Sequence, residues 1–290
     1  MNECSKEAYA KINLCLDVTR KRPDGYHEVR MIMQQLSLSD RVTVQKTDEP
    51  GIRLRCSDPG LPTDSRNLMV RAAERFFAYC DIQGGISMCL EKNIPLAAGL
   101  AGGSSDAAAV LVLLNRLFGC GLSDNELQKI GLSVGADVPY CIMGATALAE
   151  GIGEKLMILP PCPPCGILLV KPERGASTKE IYTAWDALPA PFHPDVDQGI
   201  EALQDQDLRA LAGTLGNSLE AVTKALIPEI GEIEEQMLRF GALGTCMSGS
   251  GPTVFGLFMD RFSADLAGEK MKEHFPDCRI ISAEPVIDTE

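Results

Sequence analysis

The first third of the chain alternates apolar and polar residues, which predicts β-strands. Within Ala8–Val18 this two-residue period places Lys11 and Asn13 on one side and Ile12 and Leu14 on the other. Such a pattern is typical of a strand with one buried face. Further strands are predicted at Val29–Leu38, Arg41–Gln45, Ile52–Cys56 and Gly85–Glu91.

Longer segments carry apolar residues at helical spacing. Asp106–Phe118 predicts a buried helix, and Ser123 with Glu126 forms the capping-box pattern that opens a helix at Glu126–Val134. The other predicted elements are a helix at Asn67–Cys80, strands at Ile167–Lys171 and Thr253–Phe258, a glycine-rich turn at Ser248–Gly251 and a helix at Ala264–His274. Strands mixed with helices in this order indicate an α+β or α/β fold of two layers.

A proline-rich segment, Pro160–Gly166, interrupts this pattern. Four of its seven residues are proline, which excludes a regular helix or a central strand. We therefore predict a domain boundary here, with residues 1–159 forming an N-terminal domain and residues 160–290 a C-terminal one.

Composition and charge narrow the class of protein. The 290 residues are 45% hydrophobic and carry a net charge of −13, so the chain has material for a sizeable core, and a general nucleic-acid binder is excluded. Apolar stretches such as Ala107–Leu114 are far shorter than a membrane helix. The charged first residues do not resemble a signal peptide. We expect a cytoplasmic protein without nucleic-acid or membrane partners; its oligomeric state is left open.

The eleven cysteines are scattered along the chain. The only close pair is Cys162 and Cys165, and three histidines offer little to complete a zinc site. Free, mostly buried thiols are the favoured interpretation. A redox role for the close pair is left open.

Pro95–Ser105 is the strongest candidate for a ligand-binding segment. Its small residues and glycines precede a predicted helix, so backbone N–H groups and the helix dipole can both face a phosphate. The spacing is neither that of a Walker A loop nor that of a dinucleotide fold. An ordinary loop is the alternative. A second glycine turn, Gly244–Gly251, would matter only if it faced this loop.

Asp137, Lys11 and the Tyr26-His27 pair are the candidate chemical groups. Asp137 lies after a helix and before a proline, where it would either cap a turn or accept a proton from a substrate hydroxyl. Lys11 would either face solvent or serve as a fixed cation. Tyr26 and His27 would be core and surface residues, or a platform for a planar ring.

Three motifs together resemble the galacto-, homoserine, mevalonate and phosphomevalonate (GHMP) kinase superfamily. They are Ala10–Asn13, the loop Pro95–Ser105 with the helix that follows, and Met247–Gly251. The resemblance implies an α+β, two-domain GHMP kinase fold, with a ribosomal-protein-S5-domain-2-like N-terminal domain and a ferredoxin-like C-terminal domain. Arg22–His27 and Gly135–Pro139 resemble the branch that acts on a cytidine-diphosphate ester of methylerythritol.

This resemblance implies ATP-dependent phosphorylation of the 2-hydroxyl of that ester, a step of the non-mevalonate route to isoprenoids. By similarity Asp137 is the base and Lys11 its charged partner. ATP contacts are implied for Asn67, Lys92, Pro95, Leu96, Ala97, Ala98, Gly99, Leu100, Ala101, Gly102, Gly103, Ser104 and Ser105. Cytidine-side contacts are implied for Asn13, Tyr26, His27, Thr178 and Tyr182. The expected cofactors are ATP as co-substrate and Mg²⁺, with Ser105 as a candidate Mg²⁺ contact.

The sequence alone leaves two other functions open. A sugar or mevalonate-type kinase would share the fold, and a non-catalytic ATP-binding sensor would lack Asp137 or Lys11, which are both present. Because the expected substrates are polyanions, we also expect local basic residues, including Arg20–Arg22 and Lys92, to gather at the site.

Overall fold

The computed structural model describes residues 2–287. Its strands are β1 (Glu3–Lys21), β2 (His27–Thr47), β3 (Gly51–Cys56), β4 (Gly85–Glu91), β5 (Thr146–Gly151), β6 (Lys155–Ile158), β7 (Gly166–Lys171), β8 (Gly216–Asn217), β9 (Gly244–Met247), β10 (Val254–Phe258) and β11 (Arg279–Ala283). Its helices are α1 (Leu68–Cys80), α2 (Gly102–Phe118), α3 (Asp124–Leu132), α4 (Val138–Met143), α5 (Thr178–Trp185), α6 (Val196–Gln204), α7 (Leu208–Gly213), α8 (Glu220–Leu226), α9 (Glu229–Arg239) and α10 (Arg261–His274). The α+β class is confirmed.

The described residues form two compact units that are interleaved along the chain. One unit comprises the residues up to Ala10, Leu38–Ile94 and Ala101–Gly144. The other comprises Lys11–Ser37, Pro95–Leu100 and the described residues from Ala145 onwards. β1 and β2 are long enough to contribute residues to both. The predicted boundary between residues 159 and 160 stays a prediction.

The first unit packs helices onto a small sheet. The later part of β2 runs antiparallel to β4, from Arg41 opposite Glu91 to Thr47 opposite Gly85, and β3 runs parallel to β4. Helices α1 and α2 pack against each other. Apolar residues fill this core, among them Phe76 of α1.

The second unit contains two groups of paired strands. The early part of β2 runs antiparallel to β5, which pairs with β6, and β1 runs parallel to β8. A four-stranded antiparallel sheet has the order β11-β7-β10-β9. Helix α10 packs on β7.

Several sequence expectations are corrected in detail. The two strands predicted at Val29–Leu38 and Arg41–Gln45 are one strand, β2. The first part of the turn Gly244–Gly251 is the strand β9, paired with β10. The expectation that β1 has one buried face is wrong, because residues 10–16 are all buried. Alternation failed there because its polar members are buried and hydrogen-bonded, as described below.

The proline-rich segment is confirmed as an irregular connector between β6 and β7. Its Cys162 and Cys165 are buried free thiols, and hydrogen bonding between the two side chains raises the pKa of Cys162 well above the usual thiol value. All eleven cysteines are free, five of them buried, five partly buried and Cys89 exposed. Among the residues from 2 to 287, no helix combines the length and apolar character needed to cross a membrane.

Candidate active site

The loop Pro95–Ser105 has an unusual backbone. Ala97, Gly99 and Ala101 have φ values of 48°, 73° and 55°, a left-handed conformation that costs a non-glycine residue energy. Ala101 is the N-cap of α2 and supplies no side-chain cap. The first N–H groups of this helix are therefore left without a side-chain acceptor from the cap, as a phosphate-binding helix end requires. The helix begins at Gly102, four residues before the predicted Asp106.

The glycine turn after β9 faces the loop, which is the condition under which it was expected to matter. Ser248 Oγ donates to the carbonyl oxygen of Gly99 at 3.0 Å. A Cβ on Gly99 would lie 2.2 Å from the Ser248 carbonyl oxygen, and one on Gly249 would lie 3.2 Å from the Gly99 carbonyl oxygen. Backbones approach this closely because both positions are glycine.

Lys11 is inside the second unit, not at its surface. The residue is 4% exposed, so the solvent-facing alternative is wrong. Its Nζ donates to Asn13 Oδ1 at 2.8 Å, and its backbone N–H donates to Leu100 of the loop at 3.1 Å. Asn13 is fully buried and also donates to Met31 Sδ at 3.1 Å. These contacts hold a buried cation at the end of the loop.

Asp137 begins a helix in the first unit. It is the N-cap of α4, and Pro139 stands in the first turn, a position that tolerates proline. As predicted, Asp137 follows the end of a helix, α3. Its side chain makes no capping hydrogen bond to α4 itself. A Cβ on the nearby Gly135 would lie 3.7 Å from Ser104 Oγ. The segment that carries Asp137 thus lies beside the first turn of α2.

The hydroxyl of Ser105, the candidate Mg²⁺ contact, has a partner within the chain. Ser105 is buried, and its Oγ donates to the carbonyl oxygen of Tyr9 at 2.7 Å, which anchors α2 to β1. Across residues 2–287, no group of three or more His, Cys, Asp or Glu side chains forms a metal-binding cluster. Ser104, one residue earlier, is only partly buried.

Lys92 lies between two buried carboxylates in the first unit. Its Nζ contacts Asp40 Oδ2, and it donates to Asp106 Oδ2 at 2.9 Å. Asp40 Oδ1 also accepts the backbone N–H groups of Asn93 and Ile94. A Cβ on Gly102 would lie 2.9 Å from Lys92 Nζ, so the ion cluster packs directly against the start of α2.

Asp106, the second carboxylate of this cluster, has one oxygen without a hydrogen-bond partner. Asp106 Oδ1 is buried without a hydrogen-bond partner. Burial, opposed by Lys92 and reinforced by the charge of Asp40, raises the pKa of Asp106 to about 8. A neutral carboxylic acid at this position leaves Lys92 and Asp40 as a balanced pair.

Asp106 should therefore make stability fall as pH rises. Its folded-state pKa of about 8 lies above the ordinary value of 3.8, so between these values the folded protein retains a proton that the unfolded chain has lost. The free energy of unfolding then decreases by roughly 1 kcal/mol per pH unit in that window. Urea unfolding at pH 5 and pH 8 measures this slope. In Asp106→Asn the slope should be reduced; an unchanged slope would contradict the assignment.

A cluster of rings and charges lies at the end of α5 in the second unit. The rings of His27 and Tyr182 are 4.7 Å apart between centroids, and Trp185 meets His27 edge-on at 5.8 Å. Asp186 accepts from His27 Nε2 at 2.7 Å and from Lys21 Nζ at 2.6 Å. Tyr26 is 58% exposed and stands beside this cluster in the chain.

The other predicted contacts have partners of their own. Thr178 Oγ1 is 2.8 Å from Ser250 Oγ, which joins the start of α5 to the glycine turn. Asn67 caps α1 by accepting from Met69 N–H at 2.9 Å, and it donates to the carbonyl oxygen of Pro62. Its predicted contact with adenosine stays a prediction.

Four of the basic residues expected near the site have acidic partners. Arg20 pairs with Glu28, Lys21 with Asp186 and Arg22 with Asp24. Lys92 is held by its two carboxylates. Each of these cations is balanced by an acidic partner, so this run does not supply the local positive charge that was expected to offset the net charge of −13.

Sequence reasoning missed two acidic residues that matter in this geometry. Asp40 stands in β2 among residues that form a strand, and Asp186 ends α5. Neither belongs to a recognisable motif. The one signal for Asp40 is a charged residue within a run of strand-forming residues, which is rarely buried without a partner.

Two family models match the chain and agree with this geometry. Residues 67–145 match the GHMP kinases N terminal domain, and residues 200–277 match the GHMP kinases C terminal domain. The L. major mevalonate kinase in complex with R-mevalonate has the same fold, with a TM-score of 0.80 at 18% identity over 99% of this chain and 97% of that one. The chain is a small-molecule kinase of the GHMP class.

Proteins with higher sequence identity to this chain identify its family within the GHMP class. A 4-diphosphocytidyl-2-C-methyl-D-erythritol kinase of Clostridium botulinum (strain Eklund 17B) is 49% identical over 93% of this chain and 96% of its own length. That of Bacillus pumilus is 49% identical over 87% of each. A crystal structure of a kinase with this substrate name has a TM-score of 0.82 at 34% identity, covering 97% of this chain and 99% of that one. The chain belongs to the family of 4-diphosphocytidyl-2-C-methyl-D-erythritol kinases.

Proposed function

We propose that this kinase transfers the γ-phosphoryl group of ATP to the 2-hydroxyl of 4-diphosphocytidyl-2-C-methyl-D-erythritol, a step in the non-mevalonate synthesis of isoprenoid precursors. The observation that carries the proposal is 49% identity to kinases of this substrate over 96% of a relative's length. The sensor alternative is disfavoured because Asp137 and Lys11 are both retained.

The reaction needs a base, a cation and a phosphate cradle. In our proposal the 2-hydroxyl oxygen attacks the γ-phosphorus, the bond to the β–γ bridging oxygen breaks, ADP leaves, and the hydroxyl proton passes to Asp137. Lys11 supplies a fixed positive charge that favours the developing negative charge. The N–H groups of the loop Pro95–Ser105 hold the ATP phosphates.

Recognition of the cytidine end is assigned to the second unit. Tyr26 and Tyr182 would stack on the cytosine ring, with polar contacts from His27 and Asn13; the exposure of Tyr26 supports this. Thr178 would contact the diphosphate side, supported by its bond to the glycine turn. At the adenosine end we propose that Asn67 and Lys92 lie close to the nucleotide. The Asn67 side chain also donates to the Pro62 carbonyl oxygen, and the Lys92 side chain contacts Asp40.

Mg²⁺ is proposed to reach the site bound to the phosphates of ATP. The described residues offer no cluster of acidic ligands for it, and Ser105 is engaged by Tyr9. When bound, the ion would neutralise phosphate charge. The assignments to Asp137, Lys11 and the loop do not depend on a protein ligand for the metal.

Substrate choice is tested by ADP release. The purified chain is given ATP and Mg²⁺ with the cytidylyl substrate, mevalonate, homoserine or galactose in parallel. We expect turnover with the cytidylyl substrate and at least about 100-fold lower kcat/KM with the others, because those lack the cytidine group that the rings would bind. Comparable turnover of mevalonate would overturn the proposal.

Tyr182→Ala is expected to raise KM for the cytidylyl substrate by about 10-fold or more, since loss of one stacked ring costs about 1–3 kcal/mol. The KM for ATP should change by less than about 2-fold. Tyr79→Ala is a matched control, because this tyrosine is exposed on α1 and should affect neither constant. Equal rises in both KM values for Tyr182→Ala would contradict the stacking role.

A further inference from the structure

Asp186 joins His27, which we place at the cytidine end, to Lys21, which has no role in the proposed function. Its Oδ1 is 2.7 Å from His27 Nε2, and its Oδ2 accepts from Lys21 Nζ at 2.6 Å. The His27 side chain is 8% exposed and Asp186 21%. His27 is further confined by the rings of Tyr182 and Trp185. The imidazole is therefore held in one orientation by a carboxylate that is itself held by a cation.

The carboxylate decides which ring nitrogen carries the proton. An ionised carboxylate only accepts hydrogen bonds, so the nitrogen facing it must be Nε2–H. Hydrogen bonds to Lys21 and His27 lower the pKa of Asp186, against the opposing effect of burial, which keeps it ionised. In neutral His27 the other nitrogen, Nδ1, then presents a lone pair. Within residues 2–287 no hydrogen bond occupies that atom.

Lys21 sets the charge of the group. With Lys21 already on Oδ2, the pair Lys21–Asp186 is neutral, and the carboxylate can orient the ring without requiring it to be charged.

We propose that Asp186 is a positioning residue that fixes His27 as the Nε2–H tautomer. His27 Nδ1 then accepts a hydrogen bond from the base, which selects a pyrimidine ring that carries an exocyclic amino group over one that carries a carbonyl oxygen in the same place. This inference rests on the proposed function, because it concerns how the enzyme distinguishes cytosine from uracil. Cytosine offers an amino group there and uracil an oxygen. A lone pair facing that oxygen would leave two acceptors opposed, which costs affinity.

Asp186→Asn tests this because Lys21 constrains the new amide. The ammonium of Lys21 attracts the amide oxygen, which leaves the amide NH₂ facing His27 Nε2. That nitrogen must then accept, so the proton moves to Nδ1, as happens when the aspartate that orients a catalytic histidine becomes asparagine. We expect kcat/KM for the cytidylyl substrate to fall by about 10- to 100-fold. The ratio of cytidylyl to uridylyl kcat/KM should fall by at least about 10-fold.

Two further variants bracket that result. Asp186→Ala removes the partner without imposing a donor, so the cytidylyl kcat/KM should fall while the uridylyl value stays low. Asp197→Asn is the matched control, since this carboxylate pairs with Arg30. Its cytidylyl kcat/KM and its cytidylyl-to-uridylyl ratio should both equal the wild-type values. Asp186→Asn with an unchanged cytidylyl-to-uridylyl ratio would overturn the proposal.

Nitrogen NMR reads the tautomer directly and without substrate. The chain has three histidines. His193 Nδ1 faces Asp17 at 2.7 Å and His274 Nδ1 faces the Lys270 carbonyl oxygen at 3.0 Å, so both should be Nδ1–H when neutral. We expect one Nε2–H and two Nδ1–H rings in wild type, and three Nδ1–H rings in Asp186→Asn.

The two readouts separate two kinds of failure. A wild-type spectrum with His27 as Nδ1–H overturns the inference even if the enzyme turns over the cytidylyl substrate. A wild type that phosphorylates neither nucleotide ester defeats the proposed function, while the spectrum still decides the tautomer. Thermal unfolding of each variant identifies any loss of activity that comes from loss of folded protein.

Discussion

Replacing Asp137 with asparagine is expected to lower kcat by about 10²- to 10⁴-fold, the usual contribution of a positioned general base. The amide keeps the shape of the side chain but cannot accept the hydroxyl proton. The KM values for ATP and for the cytidylyl substrate should stay within about 2-fold, because neither is proposed to bind through this proton transfer. Single-turnover ADP formation, with ATP affinity measured by calorimetry, separates the two effects.

The stability of this variant supplies a second check. Because asparagine keeps the size and shape of the side chain, Asp137→Asn should unfold at nearly the wild-type urea concentration. Asp207→Ala is the opposite control. Asp207 caps α7 by accepting from Arg209 and Ala210 N–H groups, so its loss should cost about 1 kcal/mol and leave kcat unchanged. Near-wild-type kcat in Asp137→Asn would remove Asp137 from the role of base.

The second large effect is expected at Asp40. Asp40→Asn should lower the free energy of unfolding by about 3–5 kcal/mol, the cost of leaving one member of a buried ion pair uncompensated. Asp40 is fully buried, and it accepts from Lys92 as well as from two backbone N–H groups. An amide cannot replace all of these interactions. Urea unfolding at pH 7 measures the loss.

Asp106→Asn is the matched comparison within the same cluster. Because the pKa of Asp106 is raised to about 8, the side chain is largely a neutral acid at pH 7, and asparagine resembles that form. The expected loss is less than about 1.5 kcal/mol. Similar losses in the two variants would show that the negative charge is shared and not held by Asp40.

The local features of the fold were accessible from sequence because they depend on nearby residues. The loop Pro95–Ser105 can be recognised in the sequence by its small residues ahead of a helix. Its left-handed positions at Ala97 and Ala101 are a detail that composition cannot give. The sequence pattern predicts the start of α2 four residues late, because Gly102 and Gly103 are poor helix formers. Both residues nonetheless belong to the helix. Close packing against Lys92 explains why glycine occupies position 102.

The features that were missed depend on residues far apart in the chain. Asp40 meets Lys92 and Asp106, and Asp186 meets His27 and Lys21. A single sequence contains no record of such pairs. The same limit explains why Lys11 could not be distinguished from a surface lysine by alternation alone, although it is buried with Asn13 as its partner.

The parallel pairing of β1 with β8 has a consequence for how the protein is made. Cys15 lies opposite Gly216, so roughly 200 residues must be synthesised before the first strand meets this partner. At about 5–20 residues per second, β1 would wait roughly 10–40 s. One edge of β1 stays unpaired over that interval, although β2 follows it in the chain and can pair with the other edge much earlier. We therefore expect the yield of folded protein from a ribosome to depend more on chaperones during elongation than on the rate of the final folding step.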